Sequence, residues 1–449
     1  MNAAEFRAAF SLAAVYMSRM LGLFMVMPVL AVSAAQLDGF SPLMLGLAIG
    51  GYGLTQAVLQ IPMGMLSDRV GRKPVIIAGL ALFAIGSVVA ALADSMLWLV
   101  VGRILQGTGA IAGAVMALAA DSSRPSERTK VMAIIGISIG LSFYIAILLG
   151  PFIASTAGLS GVFWATAIMA CIATLLVVVV VPTPSRSVPS SETLPQRHDL
   201  ANLLMHKPLL KLNLSVALLH MLITMVFVHL PVLLTQQGVS LSEHWQVYAP
   251  IFGVSVVLLV GMMALARRCS VRLMLQLAIG LLAVVFCGLA FLSASLPVLL
   301  VLVTLFFAGF NFLEARFPAL VSIIAPAGSR GSAMGIYASF QFLGAFAGGL
   351  LSGILNSWFD VSVLYAVASM SCVLWLSVFF RFDSHGHQPL KRVTLNLNSA
   401  PENAKQIQQT LLSLRGVVDV KLALVDRVAY LKVNSSFNEQ EAHNALANS

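Results

Sequence analysis

The stretch GMLSDRVGRKP, Gly64–Pro74, decides how the rest of the chain is read. Two glycines, a serine and a proline stand among four charges, Asp68, Arg69, Arg72 and Lys73. Before it runs LGLAIGGYGLTQAVLQIP and after it VIIAGLALFAIGSVVAALA, neither of which carries a charge. A charged turn between two apolar runs of about 20 residues suits a chain that crosses a ~30 Å hydrocarbon layer, turns in water and crosses back.

Working outward from this turn, the pattern repeats. The chain is 59% hydrophobic and 10% charged, with a mean hydropathy of +0.94, against about 25% charged residues in soluble domains. One water-soluble fold cannot hide that much apolar surface. Twelve spans are predicted, at 9–32, 42–66, 74–93, 97–120, 130–153, 161–181, 209–235, 245–266, 272–293, 297–323, 332–356 and 361–380. The predicted fold class is an all-α membrane protein of twelve transmembrane helices. The first run is too long for the apolar core of a signal peptide and lacks a small-residue cleavage site, so it is read as a retained span.

The formal charge of +9 could point to nucleic acid, but its placement points to a membrane. Lys and Arg fall at every second loop: Arg69, Arg72 and Lys73; Arg124, Arg128 and Lys130; Arg186, Arg197, Lys207 and Lys211; Arg267, Arg268 and Arg272; Arg330. The alternate loops, near Asp38, Asp94, Gly158, Glu243, Ser293 and Asp360, have none. This is the positive-inside bias, and it places both termini in the cytoplasm, in a bacterial inner-membrane setting. The four cysteines, Cys171, Cys269, Cys287 and Cys372, show neither metal nor redox spacing. No metal, cofactor or enzymatic activity is read. Neither a GxxxxGK[ST] nor a DKTG run is present, so ATP drive has no support in the sequence.

The spans repeat internally. MPVL at Met27–Leu30 recurs as LPVL at Leu230–Leu233, and RTKVMAI at Arg128–Ile134 as RGSAMGI at Arg330–Ile336, with a common offset of about 200 residues. Two parallel six-span halves follow, an architecture that many transporters use. The expected boundaries are 1–181 for the first half, 182–208 for a cytoplasmic linker, 209–380 for the second half and 388–449 for a tail domain. The linker ends in DLANLLMH, which reads as a short surface helix or as a plain tether. The tail reads strand–helix–strand–strand–helix, most of a ferredoxin-like domain. Val393, Leu395, Leu397, Val420, Leu422 and Leu424 are expected on its packed side, leaving the other side free for a partner. NSAPENAK follows the first strand and has no cysteine, so soft-metal capture there is not supported.

The motifs identify the family. Gly64, Leu66, Asp68, Arg69, Gly71, Arg72 and Lys73 match, position by position, the loop motif G-x-L-a-D-r-x-G-r-k of the major facilitator superfamily. VVGRILQGTGA resembles that family's fourth-span motif through Arg103, Gln106, Gly107, Gly109 and Ala110, and DSSRPSER resembles its D-x-x-x-P-x-x-R run through Asp121, Pro125 and Arg128. Gly150-Pro151 resembles an antiporter motif, with Ala146 and Ala154-Ser155 departing from it. Arg268 stands where the second copy of the loop would carry its acid. The arrangement with an appended small domain resembles a proton-driven, multidrug-efflux-like branch of the superfamily. The resemblance implies a latch: glycines for close packing, and Asp68 bonding the start of the eleventh span near Gly331-Ser332, with Asp121, Arg128 and the loop cations completing the network.

Charges inside spans are costly, by about 2.5–3.5 kcal/mol each on insertion scales, and mark function by default. Arg19, Arg103, Glu314, Arg316 and His220 are the cases here. Together with Tyr52, Gln56, Tyr144, Asn311, Tyr337 and Gln341 they are expected to line a cavity between the halves. Glu314 is open to two readings, as a proton carrier or as the permanent partner of an arginine. The function expected is secondary transport of a small molecule by alternating access, with proton-coupled efflux favoured. A uniporter of the same fold and a membrane sensor with the tail as regulatory output are the rivals. The partners read are a small-molecule substrate, protons, lipid and a contact through the tail.

Overall fold

The computed structural model describes residues 1–124, 127–182, 197–292, 295–327, 329–380, 391–397, 404–423, 428–434 and 436–447. Thirteen helices precede the tail among these residues: α1 (Ala3–Ser33), α2 (Pro42–Val70), α3 (Arg72–Ala91), α4 (Met96–Thr108), α5 (Ala112–Asp121), α6 (Arg128–Val179), α7 (Arg197–Met205), α8 (Lys207–Gln236), α9 (His244–Leu265), α10 (Val271–Leu292), α11 (Leu296–Ile324), α12 (Arg330–Asn356) and α13 (Val361–Phe380). Ten helical stretches among them are long and apolar enough to cross a membrane, with α4 and α5 counted together as Met96–Asp121, and a shorter apolar stretch, Val361–Ser377, follows in α13.

Helix boundaries follow local chemistry. Asn2 caps α1 in a reciprocal box with Glu5: the Glu5 N–H donates to Asn2 Oδ1 at 2.8 Å and the Asn2 N–H to Glu5 Oε2 at 2.7 Å, which satisfies two otherwise orphaned donors. Ser41 caps α2, with Pro42 at its first position. Gly71 separates α2 from α3 at φ 107°, a conformation that a side chain resists.

Helix α6 is 52 residues long but contains a non-helical residue, Gly158, at φ 67°. A carbon added at Gly150 would meet the backbone of Met25 in α1, and Thr166 lies against Gly22 of the same helix. Residues eight before and eight after Gly158 therefore meet α1 at neighbouring levels. The chain turns back at Gly158, and both arms of α6 flank α1.

The apolar interior forms separate bodies. One is built from residues of α7–α13 with Ile147, and two are built from α1–α6 with Val228. The contact between them is tightest where α2 crosses α12. A carbon added at Gly46 would land on the Gly349 carbonyl, and at Gly53 it would lie 2.7 Å from the Phe342 carbonyl. Small residues at such a crossing let two backbones approach, since lipid supplies no hydrophobic drive between helices.

The charged turns gather on one end of the bundle, here called the loop face. Arg124 Nε and Nη2 hold both oxygens of Glu5, at 2.8 and 3.1 Å. The Met1 ammonium and Lys130 both reach Glu127, at 3.4 and 2.9 Å. The Lys130 contact is the main reason that the Glu127 carboxyl titrates below its ordinary range. The close α2–α12 crossing lies toward the opposite end, because Gly46 is near the start of α2 and Asp68 near its end.

The tail forms β1 (Lys391–Asn396), α14 (Ala404–Ser413), β2 (Val417–Ala423), β3 (Val428–Val433) and α15 (Glu439–Ala447). Its sheet is antiparallel in the order β1-β3-β2. Leu395, Leu397, Val420, Leu431 and Val433 pack with Ile407, Leu411 and Ala442, and Val393 and Leu422 lie against them, as alternation predicts. Leu424 and most of the NSAPENAK loop lie outside the described residues. The helix read at the end of the linker is α7. Its Leu203 is buried in the α7–α13 core, so this segment is docked rather than a plain tether.

Candidate functional site

Two polar constellations occupy the bundle, one at the loop face and one at mid-depth. At the loop face, Arg72 is the hub. It begins α3, directly after the Gly71 turn, and only 4% of its side chain is exposed. Its Nη1 donates to Asp68 Oδ1 and, at 2.9 Å, to Ser67 Oγ, while its Nε donates to Asp121 Oδ2 at 3.1 Å. Asp121 is 3% exposed and Asp68 24%. The loop motif and the end of α5 are thus bolted together inside the first group of helices.

This corrects the expectation for Asp68. Its partner is Arg72, four residues along, not the start of α12 at Gly331-Ser332. The reason is geometric: the Gly71 turn folds Arg72 back over the last turn of α2, where a guanidinium meets a carboxylate at close range. Gly64 is buried and faces Gly113 of α5, where an added carbon would lie 3.5 Å from the Gly64 Cα, although a carbon added at Gly64 itself would meet nothing within 4 Å. Leu66 and Arg69 are exposed and Lys73 is half-buried. The side chain of Arg128 lies outside the described residues.

At mid-depth, Arg19 of α1 is 1% exposed and donates from Nη2 to Tyr52 Oη at 2.9 Å and Gln56 Oε1 at 2.6 Å. Gln56 passes the chain on to Gln60 at 2.7 Å. Arg103 is also 1% exposed; its Nε donates to the Ala48 carbonyl at 3.0 Å, its Nη1 to Gln106 Oε1 at 2.8 Å, and its guanidinium lies 5.1 Å from the Tyr52 ring centre. Gln106 completes the chain by donating to Ser87 at 2.8 Å. Both arginines were expected to face a cavity. Both are instead enclosed among α1–α4, where they brace helices to one another. Gln60 and Ser87 were missed, although Gln60 sits four residues from Gln56 and shares its helix face; Gln106 was named only as part of the fourth-span motif.

Across the α2–α12 seam, Gln341 Nε2 lies 2.7 Å from His220 Nε2 and donates to Glu314 Oε1 at 3.1 Å. His220 Nε2 is 3.9 Å from Glu314 Oε2, an oxygen that is buried and has no hydrogen-bond partner. The reading of Glu314 as an arginine's permanent partner does not hold. Arg316 is two positions along the same helix and points elsewhere, since i and i+2 do not share a face. It makes no hydrogen bond or ion pair among the described residues. Tyr337, one turn before Gln341, is buried with an unpartnered hydroxyl. The mid-depth clusters on the two sides of the seam nearly touch, because the ring of Phe342, next to Gln341, packs 6.3 Å from Tyr52.

A third junction is mostly aromatic. Phe143 of α6 stands among Phe227, Phe252 and Phe307 of the other helix group, at 6.1, 6.0 and 6.3 Å between ring centres. Tyr144 packs on Phe252 at 5.1 Å, and Asn311 reaches Ser255 at 3.5 Å beside it. No group of three or more metal-ligating side chains exists among the described residues.

A family model described as Major Facilitator Superfamily matches residues 12–325 and again 262–422. The chain belongs to this superfamily. The inner membrane transport protein YajR of Escherichia coli is 41% identical over 436 residues, covering 97% of this chain and 96% of that one. The multidrug resistance protein MdtH of Aeromonas salmonicida is 26% identical, over 81% and 93%. A solved bacterial homologue of the human lysosomal transporter Spinster shares the fold, with a TM-score of 0.70 at 16% identity, over 85% of this chain and 97% of that one. The chain is therefore an integral membrane transporter of the superfamily, acting on a small-molecule substrate, and not an enzyme.

Proposed function

We propose that the protein is a proton-coupled exporter that works by rocking two six-helix groups about the α2–α12 and Phe143 seams. In this reading each arm of α6 is one span and α13 is another, which makes twelve. The groups are residues 1–181 and 209–380, joined by the 182–208 linker, with a ferredoxin-like tail from 388. Both termini lie on the loop face, which its cations assign to the cytoplasm of a bacterial inner membrane.

One observation carries the coupling. Glu314 is a carboxylate ten residues from the nearer end of its helix, beside the seam, with one oxygen unpartnered and a histidine 3.9 Å away. A carboxyl so placed gains or loses a proton according to which side admits water, and His220 and Gln341 can respond to that change. The names of YajR and MdtH, transport and multidrug resistance, support export of a foreign small molecule. The loop-face network around Asp68 and Arg72 ties the Gly64–Lys73 loop to the end of α5, so the first helix group rocks as one body.

The test uses purified protein in vesicles, a panel of drug-like compounds and an imposed pH gradient. The gradient should raise flux at least tenfold in the parent protein. Glu314→Gln should remove that increase while leaving compound binding within about tenfold, or ~1.4 kcal/mol. Gradient-independent flux in the parent would show a uniporter. Binding without flux would show a sensor. Unchanged coupling in the variant would move the proton route away from Glu314.

A further inference from the structure

The tail sheet has two faces, and only one is filled by its own helices. Strand alternation puts Asp419, Lys421, Tyr430 and Lys432 on the other face. That face was expected to be free, yet Tyr430 is 7% exposed and Lys432 only 6%. The loop between α11 and α12 covers it.

The contacts are specific. Lys432 Nζ donates to the carbonyls of Ile323 and Ile324, at 2.8 and 3.2 Å. These are the last residues of α11, whose final carbonyls lack partners within the helix. A cation there also meets the negative end of the helix dipole. Asp419 Oδ2 accepts the N–H of Ala327 at 2.8 Å, and Lys421 Nζ donates to Ser329 Oγ at 3.2 Å. The tail thus supplies a cation to the helix end and an anion to the free N–H just beyond it. The linker joins the same junction: Leu203 and His206 line a crevice of about 270 Å³ with Pro326, Ser329 and Lys421. Burial, with the Lys432 ammonium as a smaller cause, keeps His206 below the ordinary imidazole range.

The covered loop is the hinge of the proposed proton site. It joins α11, which carries Glu314, to α12, which carries Tyr337 and Gln341. Glu314 lies ten residues before Ile324, or about 15 Å along the helix. We infer that the tail domain is a releasable clamp on the α11–α12 hairpin. Docked through Lys432, Asp419 and Lys421, it fixes the loop-face ends of both helices. Released, it frees them, and with them the geometry of Glu314 and Gln341. The contacts named are polar, as suits a joint that opens and closes. Its consequence for coupling rests on the role proposed for Glu314; the clamp itself does not.

Hydrogen–deuterium exchange on the full chain in lipid nanodiscs tests this. In Lys432→Met, peptides spanning residues 319–333 should exchange at least tenfold faster. Those spanning 310–318 and 335–343 should also speed up, while peptides of β1 stay within twofold. Unchanged exchange at 319–333 would overturn the docking. Faster exchange confined to 319–333 would overturn the clamp. Should the tail itself unfold in that variant, the pair Lys421→Cys and Ser329→Cys decides, in a background without Cys171, Cys269, Cys287 and Cys372, joined by a reducible bis-thiol cross-linker that spans the gap left by the lysine side chain. Cross-linking should slow exchange at 310–318 and 335–343 at least threefold, with reversal on reduction. Equal rates in the two states would overturn the clamp. No transport is measured, so a failure of Glu314→Gln to uncouple would refute the proposed coupling and leave this result standing.

Discussion

Arg72→Gln should destabilise the first helix group by about 3–5 kcal/mol, the range for removing one partner of a buried ion pair. Arg72 is 4% exposed and Asp121 3%, so the variant leaves the Asp121 carboxylate inside the protein without its guanidinium. It also removes the donors to Ser67 and Asp68. Asp68→Asn is the internal control. Asp68 is 24% exposed, so losing its charge should cost no more than about 1 kcal/mol, as for accessible pairs. Reversible unfolding by SDS in mixed micelles measures both. A cost below about 1 kcal/mol for Arg72→Gln would mean that the loop-face network is not a structural bolt. Equal costs for the two variants would mean that Asp121 is not the partner that matters.

Gly46→Val should change access to the bundle rather than its folding. The new carbon would fall on the Gly349 carbonyl, at the closest approach of α2 to α12. Overpacking costs about 1–3 kcal/mol. Here that cost applies only to the arrangement in which the two helices touch, so the balance between open and closed should shift about 5- to 150-fold toward opening opposite the loop face. The measurement is thiol labelling of Ala345→Cys, beside the seam, in a background without Cys171, Cys269, Cys287 and Cys372. Labelling from the side opposite the loop face should rise at least fivefold over the Gly46 parent. A folded variant with unchanged labelling would show that the crossing is not the gate on that side.

Much of the site was legible before any coordinates, but unevenly. The turn at Gly71, the hub charges Asp68, Arg72 and Asp121, and the unusual carboxylate Glu314 could all be named from the chain. Their partners could not. Asp68 was assigned to a distant helix and found beside Arg72. Arg19 and Arg103 were assigned to a cavity and found bracing the first four helices. Glu314 was offered an arginine and found with Gln341 and His220. In each case the residue was unusual for its depth, which hydropathy reveals. Which side chain meets it depends on how helices are rotated and crossed, which a single helix does not encode.

The tail shows the same division. Alternation of Leu395, Leu397, Val420 and Leu431 determined its packed face, because a half-buried strand must alternate. Nothing along the chain said that Lys432 would cap α11, more than a hundred residues earlier. By itself, then, the sequence determined the membrane setting, the succession of spans, the charged loop face and the superfamily, since these depend on hydropathy and charge summed over neighbours or on motifs a few residues long. Only the tertiary structure decided the hairpin arms of α6 about α1, the glycine crossing of α2 on α12, the company of Glu314 and the docking of the tail. Each of these joins residues far apart in the chain, through surfaces whose fit is set by helix rotation and backbone approach.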